Sequence, residues 1–322
     1  MAILLTGGLG YIGSHIAHML GSDAVIIDNL TNSNIRTKSL LPKAHFYRAS
    51  ISSKTLKKIF LKYDIKGVIH LAGLKSVDES TKSSLHYYKN NINSTLELLE
   101  NMDKFKINKI IFSSSATVYG DRHQSPLKEE FSLSSTNPYG STKIIIEQMI
   151  KDYCLSNKRF SAISLRYFNP IGANYKAGLS DQPIGKPQNI MPVLIKSVQQ
   201  KKIFKIFGND YPTFDGSCIR DYIHILDLAD AHIKAFKYLK KFKGHLPLNV
   251  GLGKGLSVFE FINYFEESNK VKVKYKIIPR RNGDVPISFA DNKKIKKLLK
   301  WMPKYSYDKM MSDSWLARIQ DS

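Results

Sequence analysis

The 322-residue sequence predicts an α/β chain: a doubly wound parallel sheet with a smaller, discontinuous α/β domain attached. Three observations predict it. Short apolar runs rich in Ile, Leu and Val alternate with longer amphipathic segments through the first half. A glycine-rich turn joins the first apolar run to the first helical segment. Near Asn169 the texture changes, as Gly, Pro, Asn and Asp crowd residues 169–192 and 208–217.

The runs Ile3–Leu5, Ala24–Ile27, Val68–Leu71, Ile110–Phe112 and Ala162–Leu165 read as buried parallel strands, which need apolar side chains on both faces. Between them lie helical patterns. One covers about 83–102, with Leu85, Tyr88, Ile92, Leu96 and Leu99 at three- and four-residue steps; another follows Tyr139. Strand–helix alternation of this kind winds right-handed crossovers onto both sheet faces. A helix is expected near Pro192–Gln200. Asp227–Tyr238 and the strand-like Leu248–Val250 are expected to return to the main sheet. Val258–Phe265, Val271–Ile277 and Lys293–Leu299 are assigned to the smaller domain. The expected division is 1–168 plus about 223–250, against about 169–222 plus 251–322.

A net charge of +22 raises the question of a nucleic-acid or membrane partner. The basic residues are dispersed, however. The densest run, Lys293–Lys300, carries Ile295, Leu298 and Leu299 at helical spacing, as the wet side of an amphipathic helix does. Neither partner is therefore expected, although a basic field helps draw in a doubly anionic substrate. Cys154 and Cys218 form no CxxC pair and no metal-ligand pattern, so neither a disulfide framework nor a metal is expected. No stretch approaches the ~20 apolar residues of a membrane span. The apolar run after Met1 is short and lacks a basic flank, so a cytoplasmic location is expected.

Gly7, Gly10 and Gly13 lie within Thr6–Gly13, after a strand and at the start of a helix. Glycines there allow a tight turn and close backbone approach to a pyrophosphate, which the free N–H groups of the helix start attract. Asp28 ends the second strand, where a carboxylate can accept hydrogen bonds from an adenosine ribose and would repel a 2′-phosphate. Together they predict a Rossmann-type domain that binds NAD in preference to NADP.

Tyr139 and Lys143 are four residues apart on one helix face. A phenol titrates near ~10, so to act as a base near neutrality it must come down by roughly 3 units, about 4 kcal/mol. A neighbouring ammonium supplies part of this, and a positively charged nicotinamide more. Ser115, ending the run through Ser113 and Ser114, stands where ligands bind in open α/β sheets. Its hydroxyl can bridge a substrate oxygen and the tyrosine. These residues predict removal of a proton and a hydride from a hydroxyl.

The motifs now assembled are TGGLGYIGSH (Thr6–His15), Asp28–Leu30, VIHLAGLK (Val68–Lys75), Asn90–Asn91, SSSATVYG (Ser113–Gly120), PYGSTK (Pro138–Lys143), RYFNP (Arg166–Pro170), FGNDYPT (Phe207–Thr213) and RDYIH (Arg220–His224). In this order and over nearly the whole chain, they resemble the extended short-chain dehydrogenases, and closely the UDP-glucose 4-epimerases. The resemblance implies tightly bound NAD and reversible epimerisation of UDP-hexoses at C4 through a transient 4-keto sugar. Tyr139, Lys143 and Ser115 would be catalytic. Cofactor contacts would come from Gly7, Gly10, Tyr11, Ile12, Gly13, Asp28, Asn29, Ile51, Leu71, Ala72, Gly73, Lys75, Asn90, Ser113, Tyr139, Lys143 and Tyr167. Substrate contacts would come from Lys75, Ser115, Tyr139, Phe168, Asn169, Asn189, Ile206, Phe207, Arg220, Tyr222, Arg281, Asp284 and Ser288. Arg220 and Arg281 suit a diphosphate clamp. Members are often homodimers, formed through helices like 83–102 and the one carrying Tyr139.

Three positions refine the resemblance. The related dehydratases carry acidic residues after the active-site threonine, whereas Thr117 precedes Val118 and Tyr119, so elimination lacks its acid and base. Ser50 stands where the family often has an acidic residue near the adenine, removing one cofactor contact. Ser288, within Gly283–Asp291, stands at a position where a bulky tyrosine goes with rejection of N-acetylated sugars. A serine there predicts room for a 2-acetamido group and interconversion of UDP-GlcNAc and UDP-GalNAc. Two rivals stand beside this reading: an epimerase acting mainly on UDP-N-acetylhexosamines or UDP-uronates, and a non-catalytic NAD-sensing or nucleic-acid-binding protein on the same fold. The second commonly lacks the tyrosine or the lysine, and this sequence has both.

Overall fold

A computed structural model describes residues 2–185, 187, 189–281 and 283–319. In chain order its strands and helices are β1 (Ala2–Thr6), α1 (Tyr11–Leu20), β2 (Ala24–Asp28), α2 (Arg36–Ser39), β3 (His45–Arg48), α3 (Ser53–Lys62), β4 (Ile65–His70), α4 (Val77–Lys82), α5 (Ser84–Lys104), β5 (Lys109–Ser115), α6 (Pro138–Ser156), β6 (Ser161–Tyr167), β7 (Asn169–Ile171), α7 (Ile190–Gln199), β8 (Phe204–Phe207), β9 (Ile219–Arg220), β10 (Tyr222–His224), α8 (Ile225–Tyr238), β11 (Gly244–Val250), β12 (Leu256–Ser257), α9 (Val258–Asn269), β13 (Tyr275–Ile278), β14 (Ile287–Ser288), α10 (Lys293–Leu299) and α11 (Tyr307–Ile319).

The described chain forms two compact units. Unit 1 comprises residues 1–120, 132–166 and 229–248, and unit 2 comprises 121–131, 167–228 and 249–322. The main sheet has seven strands in the order β11-β6-β5-β4-β1-β2-β3, the doubly wound arrangement predicted from the sequence. The pairs β1–β2, β2–β3, β1–β4 and β4–β5 are parallel. Chain order reverses between β1 and β4, the kind of switch point where open α/β sheets bind ligands.

The core of unit 1 follows from the all-apolar strands. Leu4, Val25, Val68 and Ile110 pack against Leu98, Leu99 and Met102 of α5 and against Ile146 and Ile150 of α6. Burying each such side chain stabilises the fold by about 1.5–3 kcal/mol relative to exposure. Edge strand β3 was absent from the sequence expectations, because its two outer side chains are exposed and its two middle ones half-buried, with no alternating apolar face to mark it.

Unit 2 has its own core. Leu194 and Ile195 of α7, Phe204 and Ile206 of β8, Phe261 and Phe265 of α9, and Met310 and Met311 of α11 meet there. A capping box starts α9: Ser257 accepts from the Glu260 N–H while the Glu260 carboxylate accepts from the Ser257 N–H. Residues 121–131, placed with the first domain from the sequence, belong to unit 2. Leu127 N–H donates to Phe289 O, Asp291 N–H donates to Leu127 O, and the Glu129 carboxylate accepts from Asn249 N–H. Backbone pairing with distant segments of unit 2 decides this placement, and sequence neighbours carry no sign of it.

Candidate functional site

Glycine makes the turn after β1 possible. Gly7 has φ 68°, and a side chain on it would meet Ala72 N at 2.9 Å. A Cβ on Gly13 would lie 2.5 Å from Gly7 O and 2.6 Å from Gly8 Cα, so α1 lies directly on the turn. No side chain caps the start of α1, and its first turn holds no acidic residue. A helix start of this kind suits a pyrophosphate.

Asp28 is buried at the end of β2. Its carboxylate accepts from Leu9 N–H at 3.0 Å, Leu30 N–H at 2.9 Å and Ser33 Oγ at 2.7 Å. Leu30 is held at φ 65°, in the left-handed region, next to this carboxylate. An ionised carboxylate offers about four acceptor directions, so one stays available to a ribose hydroxyl. Asn29 bonds Ser50 Oγ and Thr31, which ties the 29–31 turn to the residue expected to be acidic. Leu71, Ala72 and Gly73 follow β4, with Leu71 and Ala72 donating to Thr6. Ile51 and Asn90 are half-buried, and Lys75 is exposed.

Tyr139, Lys143 and Ser115 come together in unit 1. Asn137 caps α6 by accepting from Gly140 N–H at 2.9 Å, and Pro138 takes a position that needs no N–H donor. Tyr139 is therefore held in the first turn, with Lys143 one turn on. The Lys143 ammonium donates to Ser113 O at 2.8 Å, lies 4.8 Å from the Phe112 ring centroid and 5.7 Å from that of Tyr139. Ser115 stands by the Tyr139 phenol, and its hydroxyl accepts from Thr117 N–H and Thr117 Oγ1. Burial pushes the phenol up to about 12, opposed by Ser115, and pushes Lys143 down to about 8, opposed by the Glu147 carboxylate. The protein alone thus moves the tyrosine away from a neutral-pH base. The shift that positive charge must supply is larger than the roughly 3 units expected from the sequence.

A polar network that sequence reasoning did not single out supports these groups. His70 is fully buried between Thr6 Oγ1 at 2.7 Å and Thr95 Oγ1 at 3.0 Å. Desolvation, with Lys143 adding to it, pushes His70 down to about 3, so it is neutral. Asn91 Nδ2 donates to Leu74 O and Thr142 Oγ1, and Thr142 in turn donates to Tyr139 O at 2.7 Å. A chain of hydrogen bonds therefore runs from the loop after β4 to the helix of the tyrosine. The available signal was Asn91 beside Asn90 and Thr142 beside Lys143, small polar residues on the inner faces of α5 and α6.

In unit 2, β9, β14 and the loop before β14 gather several predicted substrate residues. Ser288 pairs with Arg220 across β14 and β9. The Arg220 guanidinium meets the Asp284 carboxylate at 3.4 Å, and that of Arg281 lies 3.7 Å from the Phe207 ring centroid. Asn169 Nδ2 donates to Asp221 O at 2.9 Å. Asp221 itself was missed. Its buried carboxylate accepts from the N–H groups of Leu252, Gly253 and Ala290, and its N–H donates to Ser288 O. Burial pushes it up to about 7 against the pull of those three donors. Ile206 and Tyr222 are turned inward: both side chains belong to the unit 2 core, and their main chains lie in the β8–β13 and β10–β7 pairs. Phe168 is buried and Tyr167 half-buried, while Asn189 is exposed and bonds Asp181. Among the described residues no group of His, Cys, Asp and Glu could hold a metal ion.

Residues 3–251 match the family described as NAD dependent epimerase/dehydratase. The chain is 44% identical to the UDP-glucose 4-epimerase of Dictyostelium discoideum, covering 97% of this chain and 94% of that one. It is 43% identical to the UDP-glucose 4-epimerase of Bacillus subtilis, covering 98% and 96%. Among solved structures, the UDP-glucose-4-epimerase from Stenotrophomonas maltophila with bound NAD and formylated UDP-arabinopyranose superposes with a TM-score of 0.96 at 37% identity, covering 100% and 99%. The UDP-glucose 4-epimerase from Bifidobacterium longum in complex with NAD+ and UDP gives 0.94 at 36% identity, covering 100% and 99%.

Proposed function

Because the chain belongs to the NAD dependent epimerase/dehydratase family, we propose that it interconverts UDP-glucose and UDP-galactose by inversion at C4 of the hexose. The observation that carries this reading is the buried Ser115–Tyr139–Lys143 cluster in a chain alike over its full length to UDP-glucose 4-epimerases. NAD, once bound, supplies the hydride acceptor and donor, so that the sugar passes through a 4-keto form and net oxidation is zero. Tyr139 takes the proton of the 4-hydroxyl and gives it back on the return. Ser115, beside the phenol, orients the reacting oxygen. The Lys143 ammonium favours the phenolate, and in a buried site that attraction exceeds its value in water.

The glycine turn, Asp28, Asn29, Ile51, Leu71–Gly73, Lys75, Asn90, Ser113 and Tyr167 are proposed to hold NAD. The clean start of α1 and the available acceptor of Asp28 support this. Phe168, Asn169, Asn189, Ile206, Phe207, Arg220, Tyr222, Arg281, Asp284 and Ser288 are proposed to hold the UDP-sugar. The two guanidiniums suit a diphosphate. The half-buried, small Ser288 supports acceptance of N-acetylated substrates as well. Homodimer formation through α5 and α6 is supported by the exposed apolar side chains Leu85, Leu96 and Ile145. Two buried free cysteines suit a reducing, cytoplasmic setting, and no described helix is long and apolar enough to cross a membrane.

The test is conversion of UDP-galactose by purified protein, first without and then with added NAD, with products separated by anion exchange. UDP-glucose should appear without added NAD. No conversion under either condition would refute the proposal.

A further inference from the structure

All three serines that end β5 meet α6. Ser115 stands by the Tyr139 phenol, Ser113 O accepts from Lys143, and Ser114 Oγ donates to Glu147 Oε1 at 2.5 Å. Tyr139, Lys143 and Glu147 are spaced by four residues, so they form one stripe along the helix. The third tie extends further. Arg166 of β6 grips Glu147 with Nε at 3.0 Å and Nη2 at 2.6 Å, and its Nη1 donates to the Tyr119 hydroxyl at 3.1 Å. Both side chains of the pair are only 4% exposed. A buried ion pair is costly to desolvate and contributes little net stability, so its presence here calls for a reason other than stability.

We infer that Glu147 and Arg166 are positioning residues of the proposed reaction, which fix α6 on the end of β5 and balance the charge around Lys143. The inference rests on the reading of Tyr139 as base and Lys143 as its cationic partner. The groups that face Lys143 are few. From its own helix they are Tyr139 and Glu147; from β4, the neutral His70; from β5, the Phe112 ring and Ser113 O; from β6, Arg166 behind Glu147. With both members of the pair charged, their effects on Lys143 oppose one another. Neutralising Glu147 leaves Arg166 to repel the ammonium. Neutralising Arg166 leaves Glu147 to attract it. The two changes therefore act on Lys143 in opposite directions.

The experiment is the pH dependence of kcat for UDP-galactose, from pH 6 to 10 at saturating NAD, for wild type, E147Q, R166Q and the double variant. Bound NAD and calorimetric UDP affinity are measured alongside. The alkaline fall in kcat should move down by about one pH unit in E147Q and up by a smaller amount in R166Q, because Glu147 acts on Lys143 directly and Arg166 from behind it. NAD content and UDP affinity should stay within twofold of wild type. The double variant keeps a neutral hydrogen-bonded pair but lacks the Glu147 carboxylate, so its alkaline fall should lie between those of E147Q and wild type even if the single variants fold poorly. Shifts in the same direction, a fall in kcat with no change of profile, or a double variant whose alkaline fall lies outside the range between E147Q and wild type would each overturn the inference. A wild type that turns over UDP-galactose while the variants misbehave sinks this inference alone. A wild type without turnover sinks the reading of the site.

Discussion

Replacing Lys143 by Met tests whether the ammonium makes Tyr139 a usable base. Met retains much of the apolar stem and removes the charge. In the structure the ammonium lies 5.7 Å from the centroid of the tyrosine ring. At an effective dielectric constant of about 20, unit charges at that separation attract by about 3 kcal/mol. That corresponds to roughly 2 pKa units, or about 100-fold in phenolate population at a fixed pH. The phenol starts at about 12 and Lys143 at about 8 in the protein alone. Below pH 8 wild type carries the ammonium and K143M does not, so the deficit is complete there. Above pH 8 wild type loses its own proton and the deficit shrinks. The assay is kcat for UDP-galactose between pH 6 and 10 at saturating NAD, with bound NAD counted so that loss of a ribose contact is separated from loss of charge. The expected result is a kcat about 100-fold lower at pH 7 and a gap that closes on the alkaline side. A deficit constant over that range, or one under fivefold at pH 7, would refute the electrostatic account.

Three other outcomes follow from the same geometry. Gly13→Ala places a methyl group 2.5 Å from Gly7 O, which must push α1 off the turn; copurified NAD, read from the absorbance ratio, should fall at least tenfold while the far-ultraviolet dichroism is retained. Asp221→Asn exchanges one acceptor oxygen for a donor facing backbone N–H groups, at a cost of about 1–3 kcal/mol for the group left unpaired; urea unfolding should show it, and an unchanged midpoint would contradict the pairing described. Ser288→Tyr should abolish turnover of UDP-GalNAc before that of UDP-galactose, because overpacking a closed pocket is costly; equal losses on both sugars would remove Ser288 from the specificity argument.

Much of the candidate site was legible in the sequence because it is local. A strand, a turn of four glycines and a helix lie within Ala2–Leu20, and Asp28 ends the next strand. Helical periodicity puts Tyr139 and Lys143 on one face, whatever else the chain does. The same locality explains the readable strands, whose apolar composition reflects burial on both sides. The sequence also carried the fold class, the NAD turn and the likeness to UDP-sugar epimerases.

Tertiary structure alone decided the rest, since it depends on meetings between residues far apart in the chain. Ser114 and Glu147 are separated by 33 positions, Glu147 and Arg166 by 19, and Arg166 and Tyr119 by 47. No periodicity relates them; they meet because β5 and β6 are neighbours and α6 packs on that part of the sheet. Burial likewise set the working states of His70, Tyr139 and Lys143, because desolvation depends on what surrounds a group and not on its type. Ile206 and Tyr222, read as ligand contacts from their motifs, turn into a core that forms only when β8, α9 and α11 assemble.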